Sequence, residues 1–363
     1  MILILNKKRI WNLFFISKFF YIILSVFFIS KYIRLGDSER YLSATTSFSY
    51  SIFYHSTAMM DFFGSILGKI PMLGHFVSMT LVIYGIYYSI SKFEISNKRL
   101  IILLLILSFP TFSIWTSVFS KESIVVFILG IIFGYIVRVH KTSSIKPKLI
   151  EIFAFYLLIV FKAQYIIPIS ETIVLIYIIS KKWNISIKAL IVISIIILNI
   201  SLLYIFRDTI DTLSFSMIKH FSLDSMSTRD ASFIWSNQYD FFYNIFNGMF
   251  IAFVGPTFSE ALNKPIQMIS FIESIIILII YIYIFYVSTI YKTKLKIFYF
   301  LLIANCFFWF LFLHYPFGVL NPGSALRYRS GFYPFLILIL FYFNSKHYKY
   351  IRKEVNEKNN NIR

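Results

Sequence analysis

Long apolar runs separated by short basic clusters repeat from residue 10 to residue 343. A run of about 20 apolar residues is long enough to cross the hydrocarbon layer as a helix. Read this way, the pattern predicts about ten spans, at 10–30, 72–91, 100–115 (broken near Pro110), 123–137, two short ones drawn from 149–180, 189–206, 269–290, 297–314 and 335–343. The fold class is therefore all-α, a polytopic transmembrane helical bundle. The stretch 149–180 is thin for two crossings at about 1.5 Å per residue. Lys162 and Gln164 sit at the expected hairpin tip.

Three polar stretches interrupt the runs, at 31–71, 207–268 and 316–334. Inside the second, 241–254 is apolar but broken by Asn244, Asn247 and Gly248, and reads as a helix on the membrane surface. The outer loops are thus expected to carry short interfacial helices. The tail 344–363 is charged and reads as loose. No internal repeat or soluble domain is visible, so 1–363 is one membrane domain.

Composition agrees. Of 363 residues, 58% are hydrophobic and 14% charged, far too apolar for a soluble domain of this length. The net charge of +19 does not read as a nucleic-acid groove, because the lysines and arginines cluster in turns between spans. Most of them fall on the N-terminal side. That places both termini in the cytoplasm and the three polar loops outside. The N-terminal run after Lys7, Lys8 and Arg9 is too long for a signal peptide and lacks a small-residue cleavage site, so it reads as a retained span. Lys18 inside it reads as a snorkelling or cavity-facing lysine. The lone Cys306 excludes an intrachain disulfide and a cysteine metal cluster. No metal site, P-loop, dinucleotide fingerprint or nucleophile elbow is present.

Four constellations could carry chemistry. LGDSERYL places Asp37, Glu39, Arg40 and Tyr41 just past the first span. Two carboxylates beside an arginine could deprotonate a hydroxyl, or could form a solvated turn. FPTFSIWTSVFSKES brings Lys121 and Glu122 to the start of the fourth span, where Glu122 could simply favour the helix N-terminus. FKAQYIIP carries Lys162 and Gln164, either a tip in water or further phosphate or sugar contacts. NPGSALRYRSGFYP (321–334) puts Arg327 and Arg329 among turn residues and aromatics. In extended backbone the two would point to the same side. Guanidinium is well shaped to grip a diphosphate at two points. Tyr328 could stack on a sugar. An interfacial anchor pair, or an ion pair with Asp37 or Glu39, is the structural alternative. His314, at the end of the ninth span, could be an acid or base or a satisfied interfacial histidine.

LGDSERYL, FPTFSIWTSVFSKES and GSALRYRSGFYP together resemble bacterial polysaccharide-assembly membrane proteins, above all the Wzy-type O-antigen polymerases, which are related in architecture to GT-C glycosyltransferases. The resemblance covers the whole chain as a pattern of spans and loops. It implies an inner-membrane enzyme that joins undecaprenyl-diphosphate-linked oligosaccharide repeats on the periplasmic side without a metal or other cofactor. A chain-length regulator is the implied protein partner. Arg327 and Arg329 would hold the donor diphosphate, with Arg40, Lys121, Glu122, Lys162, Gln164, His314 and Tyr328 as further contacts. Asp37 matches the position of the GT-C catalytic carboxylate. Arg207 and Arg229 sit in no motif of the group. The rivals are a GT-C enzyme adding a single sugar, and a lipid-linked oligosaccharide flippase. A flippase should show repeat symmetry and charges buried at mid-membrane, and no repeat is visible.

Overall fold

The computed structural model describes residues 6–32, 34–224, 229, 235–290 and 296–360. The described residues form helices and connections, with no strand among them. In chain order the helices are α1 (Lys7–Phe27), α2 (Ser38–Leu42), α3 (Ser56–Leu67), α4 (Leu73–Ser91), α5 (Asn97–Ile106), α6 (Pro110–Ser117), α7 (Lys121–Thr142), α8 (Leu149–Lys162), α9 (Ile166–Ser180), α10 (Ile185–Ile205), α11 (Arg207–Asp224), α12 (Asp240–Tyr243), α13 (Ile245–Val254), α14 (Phe258–Asn263), α15 (Pro265–Ile290), α16 (Lys296–Gly318) and α17 (Pro322–Asn360). Among the described residues, eight stretches are long and apolar enough to cross a membrane, or nine if the bent pair α5–α6 counts as one. The chain is a multi-pass helical membrane protein.

Helix α7 is the central post. Ser120 caps its start by accepting the Ser123 N–H at 3.2 Å, and Ser143 closes its end in the left-handed region at φ 54°. Helix α4 lies against it at backbone distance. A Cβ on Gly130 would sit 2.4 Å from the Gly85 carbonyl oxygen, so both positions need glycine. The Ser89 hydroxyl crosses the seam to the Gly130 carbonyl at 2.6 Å. Small residues that admit close backbones are the usual glue between membrane helices.

Contacts at the two ends of α7 fix the other directions. One end holds Lys121, the α1–α2 connection and the start of α17. At the other, His140 Nδ1 lies 2.9 Å from the Tyr342 hydroxyl, and the Arg99 guanidinium donates to the Asn344 carbonyl at 3.2 Å. Helices α8 and α9 both start or finish at this second end: Arg138 pairs with Glu151, while Ser143 donates to the Ser180 carbonyl at 3.3 Å. The stretch Leu149–Ser180 is thus a folded-back hairpin, with Lys162 and the turn Ala163–Tyr165 at its tip.

Several expectations change. Residues 316–334 are helical almost throughout: α16 runs to Gly318 and α17 begins at Pro322. Asn321 accepts the Ser324 N–H at 2.9 Å and Pro322 opens the first turn, so the turn-like residues are a helix start. The tail expected to be loose continues α17 to Asn360. The long loop opens with α11, and its apolar stretch becomes α12 and α13. Ile245–Asn263 counts among the eight apolar stretches, but Gly255 at φ +88° breaks it into two short helices. Lys18 does not snorkel. It is fully buried, with its amine 3.9 Å from the Phe112 ring centroid and donating to Ser113 and Thr116 at 3.2 and 3.0 Å. The basic-turn residues Lys292 and Lys294 lie outside the described residues.

Candidate functional site

The turn after α1 brings Gly36 to φ +63°, a left-handed conformation that suits glycine. The missing side chain also makes room, since a Cβ there would lie 2.7 Å from Nη1 of Arg327. Arg327 therefore passes over the turn and reaches two carboxylates from different parts of the chain. Its Nη2 donates to Asp37 Oδ2 at 2.9 Å and its Nε to Glu122 Oε1 at 3.0 Å. Glu122 is 2% exposed and Asp37 45%. One guanidinium thus closes the α1–α2 connection, α7 and α17 into a single ion cluster.

Two more cations border it. The Lys121 amine donates to Ser56 and Thr57 hydroxyls at 3.1 and 2.8 Å. Lys162, at the hairpin tip, places its amine 4.6 Å from the Tyr328 ring centroid and 5.9 Å from that of Phe317. No carboxylate lies within 4.0 Å of either amine among the described residues. Arg40 turns toward α3, pairing with Asp61 at 3.0 Å and lying over Tyr41, and stays 3.9 Å from Asp37. For Asp37, partial burial works against ionisation, but the charge and hydrogen bond of Arg327, aided by Arg40 and Lys121, outweigh it. The carboxyl is held below its ordinary range.

The remaining expected residues divide. Glu39 is exposed on α2, outside the ion cluster. Gln164 lines a cavity of about 310 Å³ between α11 and α16, shared with Ile210, Leu213, Phe312 and Phe317. That cavity is apolar and adjoins Lys162 through Phe317. His314 is 2% exposed. Its Nε2 meets the Ala252 carbonyl at 3.0 Å, and its ring stands edge-on to Phe332, which makes it a tie between α16 and α13.

Arg329 leaves the cluster altogether. Residues two apart on a helix point about 200° apart. Its Nη1 donates to the Phe253 carbonyl at the end of α13 and to Ser274 Oγ at 2.8 Å. The paired arginine clamp expected from an extended loop is therefore absent, because the segment is helical.

Sequence reasoning missed the polar groups deeper in the bundle. Glu273 on α15 accepts the Thr111 N–H at 2.9 Å and is 5% exposed. Glu171 on α9 accepts from Asn199 at 3.2 Å and Asn305 at 2.6 Å. The signal was available as single carboxylates inside apolar runs, which are costly and seldom idle. Arg229 was also missed as a tie. It pairs with Glu260 at 2.7 Å and donates to the Val319 carbonyl at 2.8 Å, pinning the long loop to the end of α16.

No known family, curated protein or solved structure matches this chain.

Proposed function

We propose that this chain is a glycosyltransferase of the polysaccharide-polymerase kind, joining lipid-diphosphate-linked oligosaccharide repeats at the periplasmic face of a bacterial inner membrane. The observation that carries this reading is the Arg327 cluster at the end of three helices, flanked by two lysines with no carboxylate within 4.0 Å among the described residues. A lipid diphosphate leaves with developing negative charge, and fixed cations in a poorly hydrated site stabilise it strongly. Arg327, Lys121 and Lys162 would supply that charge, with Tyr328 as a stacking face. The sugar bound to the diphosphate would be displaced by a hydroxyl of the next repeat, and holding the two together supplies much of the rate. None of these groups calls for a metal or other cofactor.

The test is the lipopolysaccharide banding pattern of the source strain with this gene deleted. Collapse of the ladder to core plus one repeat, restored by wild type but not by Arg327→Ala, is the expected result. A persistent ladder with altered sugar content would replace the polymerase by a single-sugar transferase.

One observation favours the flippase as second reading. Lys18, Glu171 and Glu273 lie within apolar helices, where a transporter keeps its charges. Loss of every repeat from the cell surface on deletion would favour that reading.

A further inference from the structure

Glu122 Oε2 is the one carboxylate oxygen among the described residues that is buried without a hydrogen-bond partner. Its sister oxygen is held by Arg327 at 3.0 Å, so the side chain is fixed in place while half of its acceptor capacity is unused. Unsatisfied buried polar atoms are rare and costly, and they gather where a ligand or a reaction completes them. Lys162 is partly buried beside it. It feels the charges of Glu122, Arg327 and Lys121, yet its amine faces only the rings of Tyr328 and Phe317. Ser38 Oγ, beside Asp37, is a second buried polar atom without a partner. These three lie around Arg327, on the α1–α2 turn, the start of α7 and the hairpin tip.

Asp37 is differently placed. It is half exposed, and one of its oxygens takes both Arg327 and the Tyr41 hydroxyl, at 2.9 and 3.5 Å. Its other oxygen faces Arg40 at 3.9 Å. An acid so well compensated is a poor proton acceptor.

We propose that Glu122, not Asp37, is the general base of this site, and that its free Oε2 receives the acceptor sugar's hydroxyl. This rests on the glycosyl-transfer reading above. In the step, the hydroxyl proton passes to Oε2 and the hydroxyl oxygen forms a bond to the donor's anomeric carbon. The bond from that carbon to the diphosphate oxygen breaks, and its electron pair leaves with the diphosphate, opposite Arg327, Lys121 and Lys162. Asp37 then has a positioning role, holding the far end of the Arg327 guanidinium.

The experiment uses membranes of the deletion strain carrying the full chain and supplied with that strain's own undecaprenyl-diphosphate-linked repeats. Wild type must elongate them. If it does not, the polymerase reading falls and takes this assignment with it. Given elongation, Glu122→Gln keeps an oxygen for Arg327 and removes the base. It should lower turnover by about 100-fold or more while the carrier still binds as in wild type. A Glu122→Gln rate within about tenfold of wild type, or a loss of binding that accounts for the whole loss of rate, would overturn the assignment. Should Glu122→Gln fail to accumulate, Glu122→Asp decides, because it keeps the charge and withdraws the oxygen by one methylene. Slower turnover at unchanged carrier binding supports the base role, and an unchanged rate removes it.

Discussion

Arg327 and Arg329, two residues apart on α17, bind groups on opposite sides of that helix. Arg327 holds two carboxylates, and Arg329 holds a helix-end carbonyl and a serine hydroxyl. Their substitutions should therefore differ in kind. Arg327→Ala strands Glu122 as a buried charge and should destabilise the fold by about 3–5 kcal/mol. Adding Glu122→Gln to it should recover part of that loss. Arg329→Ala removes donors from the end of α13, for a cost of about 1–3 kcal/mol. Thermal unfolding of the detergent-solubilised protein checks both. Recovery in the double variant, with no recovery when Glu122→Gln is combined with Arg329→Ala, is the decisive pattern.

Gly130 should be intolerant even of alanine. The added methyl would lie 2.4 Å from the Gly85 carbonyl oxygen and 2.5 Å from its carbon, both backbone atoms. The two helices would have to part, at about 1–3 kcal/mol or more. Gly323→Ala, whose nearest neighbour is Asn321 Oδ1 at 3.2 Å, should cost less. Membrane accumulation of the two variants, measured side by side, gives the comparison.

Asp37 makes stability depend on acid pH. Its carboxyl is held below the ordinary range in the folded protein, so unfolding raises its proton affinity. Such a group adds stability above the unfolded pKa of about 4, and the contribution is lost as pH falls through the lower folded value. Wild type should lose more thermal stability than Asp37→Asn between about pH 6 and pH 3, and the two curves should converge at the acid end. Parallel curves would show that the ion pair contributes nothing.

Lys18 offers a test between the two functional readings. Replacing a buried charge by an apolar side chain of similar volume is often neutral or stabilising. Thr116 keeps its own bond to the Phe112 carbonyl at 2.6 Å without the lysine. Lys18→Met should therefore leave stability level or raised and leave the ladder intact if the chain is a polymerase. Loss of surface repeats at wild-type protein level would move Lys18 into a transport path.

The spans were legible because hydrocarbon imposes a long, uninterrupted apolar signal. The hairpin 149–180 could be read from its length alone, and the break at Pro110 from the proline. The start of α17 could not. Asn321, Pro322 and Gly323 are the residues of a turn and equally those of a helix start, and only the Asn321 cap tells them apart. That single ambiguity moved Arg329 from the site into the bundle. Asp37, Glu122 and Arg327 were each visible as candidates. A pairing of Arg327 and Arg329 with Asp37 was one of the alternatives, but that Glu122 joins it was not visible, since it depends on how three helix ends far apart in sequence pack together. Glu273 and Glu171 were hidden by their surroundings, each a lone carboxylate averaged away in an apolar run.

The hairpin sets a depth. Its arms of 14 and 15 residues are about 21 and 22 Å long, against a hydrocarbon layer of about 30 Å. Lys162 rides on the shorter arm, and Arg327 stands five residues inside α17. Lys162 thus stands about 21 Å from the base of the hairpin, less than a full crossing. One extra helical turn in both arms would lift the lysine by about 5.4 Å, away from the Tyr328 ring it now faces.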